Sequence, residues 1–158
     1  MLSTGGPTVL SQQEISDRLE IQDLVFHYAD LIDSKQISRL REEVFTEDVF
    51  VDYGVMGGSV GDLDTTIEFL ESALTDELFP HSQHLNANVQ VKVDGDTATG
   101  RIMCFNPMQM NLPDGGSQVY LLGLWYVDEY RRTDKGWRIS RRAEEKSWVF
   151  NTPDFMDL

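Results

Sequence analysis

Apolar positions in the first fifth of the chain recur every three or four residues. Ile21, Leu24, Val25, Tyr28, Leu31 and Ile32 fall on one stripe, the pattern of an amphipathic helix. Ser11-Gln-Gln-Glu14 precedes the stripe as a capping box, so the helix is expected to open there and to stop near Asp33-Ser34. Ile37, Leu40, Arg41, Val44 and Phe45 predict a second, shorter helix. The period then changes. Val49-Phe-Val-Asp-Tyr53 alternates and reads as a strand, and the glycines between Gly54 and Gly61 read as a loop. Thr65-Thr-Ile-Glu68 is a second capping box, predicting a third helix that runs to Pro80.

The second half alternates almost throughout. Val89, Val91 and Val93 lead into the hairpin signal Asp94-Gly-Asp96, and Thr97 to Met110 returns. Turns at Pro113–Gly116 and Thr133–Gly136 set off Gln118–Arg132 and Trp137–Phe150 as two more long strands. Helices first and strands afterwards predict an α+β domain: about three helices wrapped by a curved antiparallel sheet, cone-shaped, with a deep apolar pocket between the layers. Residues 1–10 read as a flexible arm, 11–150 as one domain and 151–158 as a tail.

Composition narrows the functions. The 158 residues hold 13 Lys plus Arg against 27 Asp plus Glu, a formal net charge of −14. Such a surface repels phosphate backbones and anionic lipid, which argues against nucleic-acid or membrane partners. No apolar run reaches the ~20 residues of a membrane helix, and residues 1–10 lack the features of a secretory signal, so a soluble, cytoplasmic protein is expected. Cys104 is the single cysteine and reads as a buried small hydrophobe. No phosphate-binding loop, nucleophile elbow or Cys-x-x-Cys occurs, and His81 with His84 lacks a third marked metal ligand.

What remains is a set of polar residues beside apolar segments: Tyr28, Asp33, Tyr53, His81, His84 and Arg141 or Arg142. An imidazole titrates near neutral pH and can both take and give a proton. A carboxylate fixes its tautomer and stabilises the imidazolium, and a tyrosine hydroxyl can donate to a developing enolate oxygen. None of this chemistry calls on a cofactor. Tyr28 on the apolar stripe reads equally as core, and Asp33, well off the centre of the stripe, as a helix end. Asp30 is read as solvent-facing. Alternation from Trp137 and Ile139 carries Arg141 to their face, whereas a β-bulge would present Arg142.

Four stretches resemble the SnoaL-like domains of the nuclear-transport-factor-2-like superfamily, over about residues 12–150. They are Glu20–Asp33, with its Tyr28 and Asp33; Phe45–Tyr53; His84-Leu-Asn-Ala-Asn88 with Val93-Asp-Gly-Asp-Thr-Ala98; and Gly136-Trp-Arg-Ile139. The resemblance implies an open cone around an apolar pocket. Members include dehydratases, isomerases and polyketide cyclases, and some only bind. Carried over from the dehydratase branch, the implied catalytic residues are His84, Asp33 and Tyr28, with Tyr53 on the substrate oxygen. Two departures stand out: Ser34-Lys-Gln36 replaces a second acidic residue, and His81 is extra, so either histidine could be the base.

These readings combine into one expectation. The protein is a cofactor-independent lyase or isomerase acting on a small apolar, oxygenated ring such as a polyketide, terpenoid or steroid-like compound. Tyr53, His81, Arg141, Phe105 and Trp125 are expected to bind it, with Met103 and Met108 as further wall candidates. A homodimer or homotrimer is expected. The alternatives are a non-catalytic binding or dimerisation module, using Leu122, Leu124 and Tyr126 as exposed apolar contacts, and an epoxide hydrolase with an Asp-Arg-Asp relay.

Overall fold

The structure is a computed structural model that describes residues 9–158. The expected arm therefore falls, apart from its last two residues, outside the described residues. Helix α1 spans Gln12–Asp33, and Ser11 caps it by accepting from the Glu14 amide at 3.1 Å. Glu14 does not complete the box; its carboxylate binds Arg18 at 2.6 Å. The stripe Ile21, Leu24, Val25, Tyr28, Leu31 and Ile32 is buried throughout.

The second helix is shorter than expected. A 3-10 turn at Ile37–Arg39 leads into α2, Leu40–Glu43, and Phe45 already belongs to β1, Phe45–Asp52. β2 is Val60–Gly61. Helix α3, Leu63–Ala73, is capped by Asp62 and not by Thr65: the Asp62 carboxylate accepts from the Thr65 amide at 3.0 Å. Asp before the apolar run is the stronger acceptor, so the helix opens earlier than the Thr65 box implies. It also ends at Ala73, well ahead of Pro80.

The remaining strands are β3 (His81–Ser82), β4 (Leu85–Asp94), β5 (Thr97–Asn111), β6 (Ser117–Thr133) and β7 (Gly136–Phe150). The sheet runs β2-β1-β7-β6-β5-β3, with β4 also on the outer edge of β5. It is a mixed sheet, not an antiparallel one, because β1 lies parallel to β7. Alternation reports which face a side chain takes and is silent on chain direction, so the parallel pair was not readable from it. The sheet curls around α1 without closing. Its inner rows and the α1 stripe form one apolar core.

Two irregularities position the site. β4 and β3 share the edge of β5 end to end: Leu85 pairs with Phe105 and Ser82 with Met108, leaving Gln83 and His84 in the gap. On β7 the register shifts between Tyr130–Ile139 and Glu129–Arg141, so Ser140 is an extra residue. That bulge turns the following residues over, as a bulge must when the side-chain period is two.

Candidate active site

The C-terminus of α1 is built to expose one carboxylate. Gln36 donates its amide to the Leu31 carbonyl at 2.8 Å and Lys35 to the Ile32 carbonyl at 3.0 Å, a Schellman pattern with Lys35 in the left-handed region (φ 56°). The chain leaves the helix sharply there. Asp33, its last residue, is free to face the gap between β3 and β4. It accepts three hydrogen bonds: from Ser82 Oγ at 2.9 Å, from the His84 backbone amide at 2.8 Å and at His84 Nδ1 at 2.7 Å. Burial pushes the Asp33 carboxyl up, but the His84 hydrogen bonds and charge, with Ser82, bring it below its ordinary value. The carboxylate therefore persists and holds the proton of neutral His84 on Nδ1. Nε2 is left as the acceptor, 3.0 Å from Asn106 Nδ2, which donates to it.

A second polar cluster lies on the other side of β6. Tyr28, from the α1 stripe, and Tyr53, just after β1, touch hydroxyl to hydroxyl at 2.7 Å. Burial pushes the Tyr28 phenol up to about 12, against the pull of the Arg142 charge, and lifts Tyr53 well above its ordinary value. Both stay protonated and act as hydrogen-bond donors. Behind them Arg142 is fully buried between the rings of Tyr28 (4.2 Å) and Tyr126 (4.1 Å). Asp128 neutralises it through two bonds of 2.8 and 2.7 Å, and the Tyr130 hydroxyl donates to the same carboxylate. A buried guanidinium is tolerable only with such pairing.

A cavity of about 250 Å³ joins the two clusters. His84 and Asn106 reach it from one side, Tyr28, Tyr53 and Glu144 from the other. Ile32, Phe79, Met108, Tyr120 and Leu122 supply apolar walls. Met56, Gly57 and Phe69 line it as well, with Met156 and Leu158, so the residues after β7 fold back against the cavity. Two wider clefts of about 610 and 680 Å³ lie on the surface. They are lined by charged side chains occupied with each other, such as Arg132 with Asp17 and Asp96, and offer no comparable apolar enclosure.

The cavity, the curled sheet and the His–Asp pair can be set beside known proteins. The model of the "SnoaL-like domain" family matches residues 13–143. The protein belongs to the SnoaL-like domain family. An uncharacterized relative of this SnoaL-like protein, Rv2910c of Mycobacterium tuberculosis (strain H37Rv), is 44% identical over 139 residues, covering 88% of this chain and 91% of its own. Among solved structures, a scytalone dehydratase candidate from Novosphingobium aromaticivorans superposes with TM-score 0.75 at 18% identity, over 91% and 93% of the two chains. A type 2 hexachlorocyclohexane dehydrochlorinase gives 0.73 at 18% identity, over 91% and 94%. At that identity the two structures establish the shared fold.

Not every expected pocket residue of this SnoaL-like protein reaches the cavity. Arg141 is exposed, its guanidinium 5.0 Å from the Phe50 ring, because the bulge at Ser140 sends Arg142 inward in its place. His81 is exposed on the sheet edge, bordering a cleft outside the cavity that also touches Asp33. Phe105, Trp125 and Met103 share the outer face: Phe105 packs on Trp148 and Trp125 under Arg101. The same alternation buries Leu122, Leu124 and Tyr126 inside, where they cannot serve as exposed contacts. Among the cavity residues that the sequence did not mark, one amide and one carboxyl bear on its chemistry. Asn106 is the polar side chain in the inward row Ile102, Cys104, Asn106, Met108, and counting from Cys104 places it. Glu144 follows from Arg142 by the same count, once the bulge is known.

Proposed function

We propose that this protein is a cofactor-independent acid–base enzyme, a dehydratase, isomerase or cyclase, acting on a small, mostly apolar, oxygenated ring. The observation that carries the reading is the chain Asp33–His84–Asn106 ending on the wall of a mostly apolar cavity. His84 Nε2 takes a proton from a carbon next to a carbonyl. The Asp33 carboxylate compensates the imidazolium that forms, and rotation of the Asn106 amide presents its otherwise unpartnered Oδ1 to the new N–H. In the Tyr28–Tyr53 pair one hydroxyl donates to the other, and the second donates to the oxygen on which charge develops. The names of two structural neighbours, a scytalone dehydratase candidate and a dehydrochlorinase, support elimination beside a C–H bond.

A volume of about 250 Å³ falls just below the ~300–1,000 Å³ usual for ligand pockets and favours a one- or two-ring substrate over a steroid. The experiment is proton–deuterium exchange at the α-carbon of 2-tetralone in D₂O, followed by NMR. The wild-type protein accelerates exchange over buffer; no acceleration opposes the reading.

We also propose a homo-oligomer assembled through the outer face of the sheet. Phe105, Val119, Trp148 and Phe150 are apolar and at least a third exposed there. Light scattering coupled to size exclusion reads a dimer or trimer, and Trp148→Glu with Phe150→Glu shifts it to monomer.

A further inference from the structure

A base alone does not complete an elimination. The oxygen that departs needs a proton, and the tyrosines hold theirs too tightly to give them up readily. One wall residue differs from them. Glu144 lies on β7 and lines the same cavity as Asn106, with its Oε2 buried and without a hydrogen-bond partner among the described residues. Such an orphan costs about 1–3 kcal/mol and calls for an explanation. The groups that face it are Arg142 on its own strand, Asp52 on β1, Tyr28 on α1, Tyr53 after β1, Tyr126 on β6 and Cys104 on β5. Arg142 is the only cation of the six, and Asp128 already neutralises it.

We propose that Glu144 is the proton donor of the cavity, binding a hydroxyl or carbonyl oxygen of the substrate while His84 takes a proton from carbon. This rests on the acid–base reading above and sharpens its substrate class: rings with an oxygen one or two carbons from an acidic C–H. In a dehydration, the C–H pair moves to form the C=C bond as His84 Nε2 takes the proton. The C–O bond breaks as that C=C bond forms, its electron pair stays on the oxygen, and the oxygen leaves as water with the Glu144 proton. His84 is left as imidazolium and Glu144 as carboxylate; solvent removes one proton and supplies the other. Burial pushes the Glu144 carboxyl up to about 8, with Arg142 opposing and Asp52 adding to the rise, so the group is neutral at pH 7 yet able to give its proton.

Two measurements test it. Infrared difference spectroscopy of the intact protein reads the carbonyl stretch of a neutral carboxylic acid. The expected band is present at pH 7, fades as the pH rises through about 8, is absent from Glu144→Gln, and moves when 2-tetralone is added. His84→Ala retains both the band and its movement, which separates this proposal from the one about the base. The second measurement is the pH profile of tetralone exchange: the wild-type rate falls above pH 8, and Glu144→Gln and Glu144→Ala lose that falling limb. A band that is absent at pH 7, survives Glu144→Gln or ignores tetralone overturns the proposal. So does a falling limb that both Glu144 variants keep. Exchange that vanishes in His84→Ala with no role for Glu144 would leave the base reading intact and refute only the donor.

Discussion

Two carboxyl groups serve one cavity, and their surroundings push them in opposite directions. Asp33 stands behind His84 and is wrapped by three donors, from Ser82 and twice from His84, which hold it ionised. Glu144 stands on the wall with an unpartnered oxygen, and burial keeps it neutral. Burial is the largest influence on both, and hydrogen bonding decides between them. The difference teaches where each role comes from: a fully bonded carboxylate can orient and compensate, and an unbonded one is free to meet a ligand. A pair of titratable groups driven apart in this way is the usual means of assigning base support and acid within one pocket.

The largest effect should come from the bonded side. Asp33→Asn removes the charge that supports the imidazolium and favours the wrong tautomer of His84. Tetralone exchange should fall by about 10²–10⁴-fold with the fold retained. A loss below about threefold would equate the two carboxyls and break the contrast.

The unbonded side predicts a stability effect with a definite sign. Between the ordinary glutamate value of 4.5 and about 8, folded Glu144 holds a proton that the unfolded chain has released. Stability from this group therefore falls as pH rises across that window and is level above it. Glu144→Gln cannot titrate, so its Tm advantage over the wild type should grow from pH 5 to pH 8. A constant difference in thermal melts would show that Glu144 is ionised like any surface glutamate.

The smallest effect belongs to the outer face. Trp125→Ala removes a ring stacked 3.8 Å under Arg101 and touches no cavity atom. Turnover should stay within about twofold, at a stability cost of roughly 0.5–1 kcal/mol. A tenfold loss would mean that the outer face takes part in the chemistry.

Much of this arrangement was legible in the chain. The α1 stripe, the capping serine and the long hairpins follow from periodicity and turn residues. Position 33 was not readable from helical geometry, because it lies off the stripe; the resemblance to SnoaL-like domains brought it forward, and the left-handed Lys35 explains how the helix end delivers it. Phe105 and Trp125 fall on the outer face because alternation gives two faces without saying which is inner. Between Arg141 and Arg142 the choice stayed open in the sequence, and the one extra residue at Ser140 decides it for Arg142. Glu144 lies beyond that bulge, so its place in the cavity became visible only with the strand register. The parallel pairing of β1 and β7 left no trace in the pattern at all.

His84 carries the proton transfer on which the proposed chemistry depends. Rates of α-deuterium exchange into 2-tetralone, compared between the wild-type protein and His84→Ala at pH 7, test it most directly. A loss of about 10²–10⁴-fold with unchanged circular dichroism is the predicted result. Equal rates in the two folded proteins would contradict it.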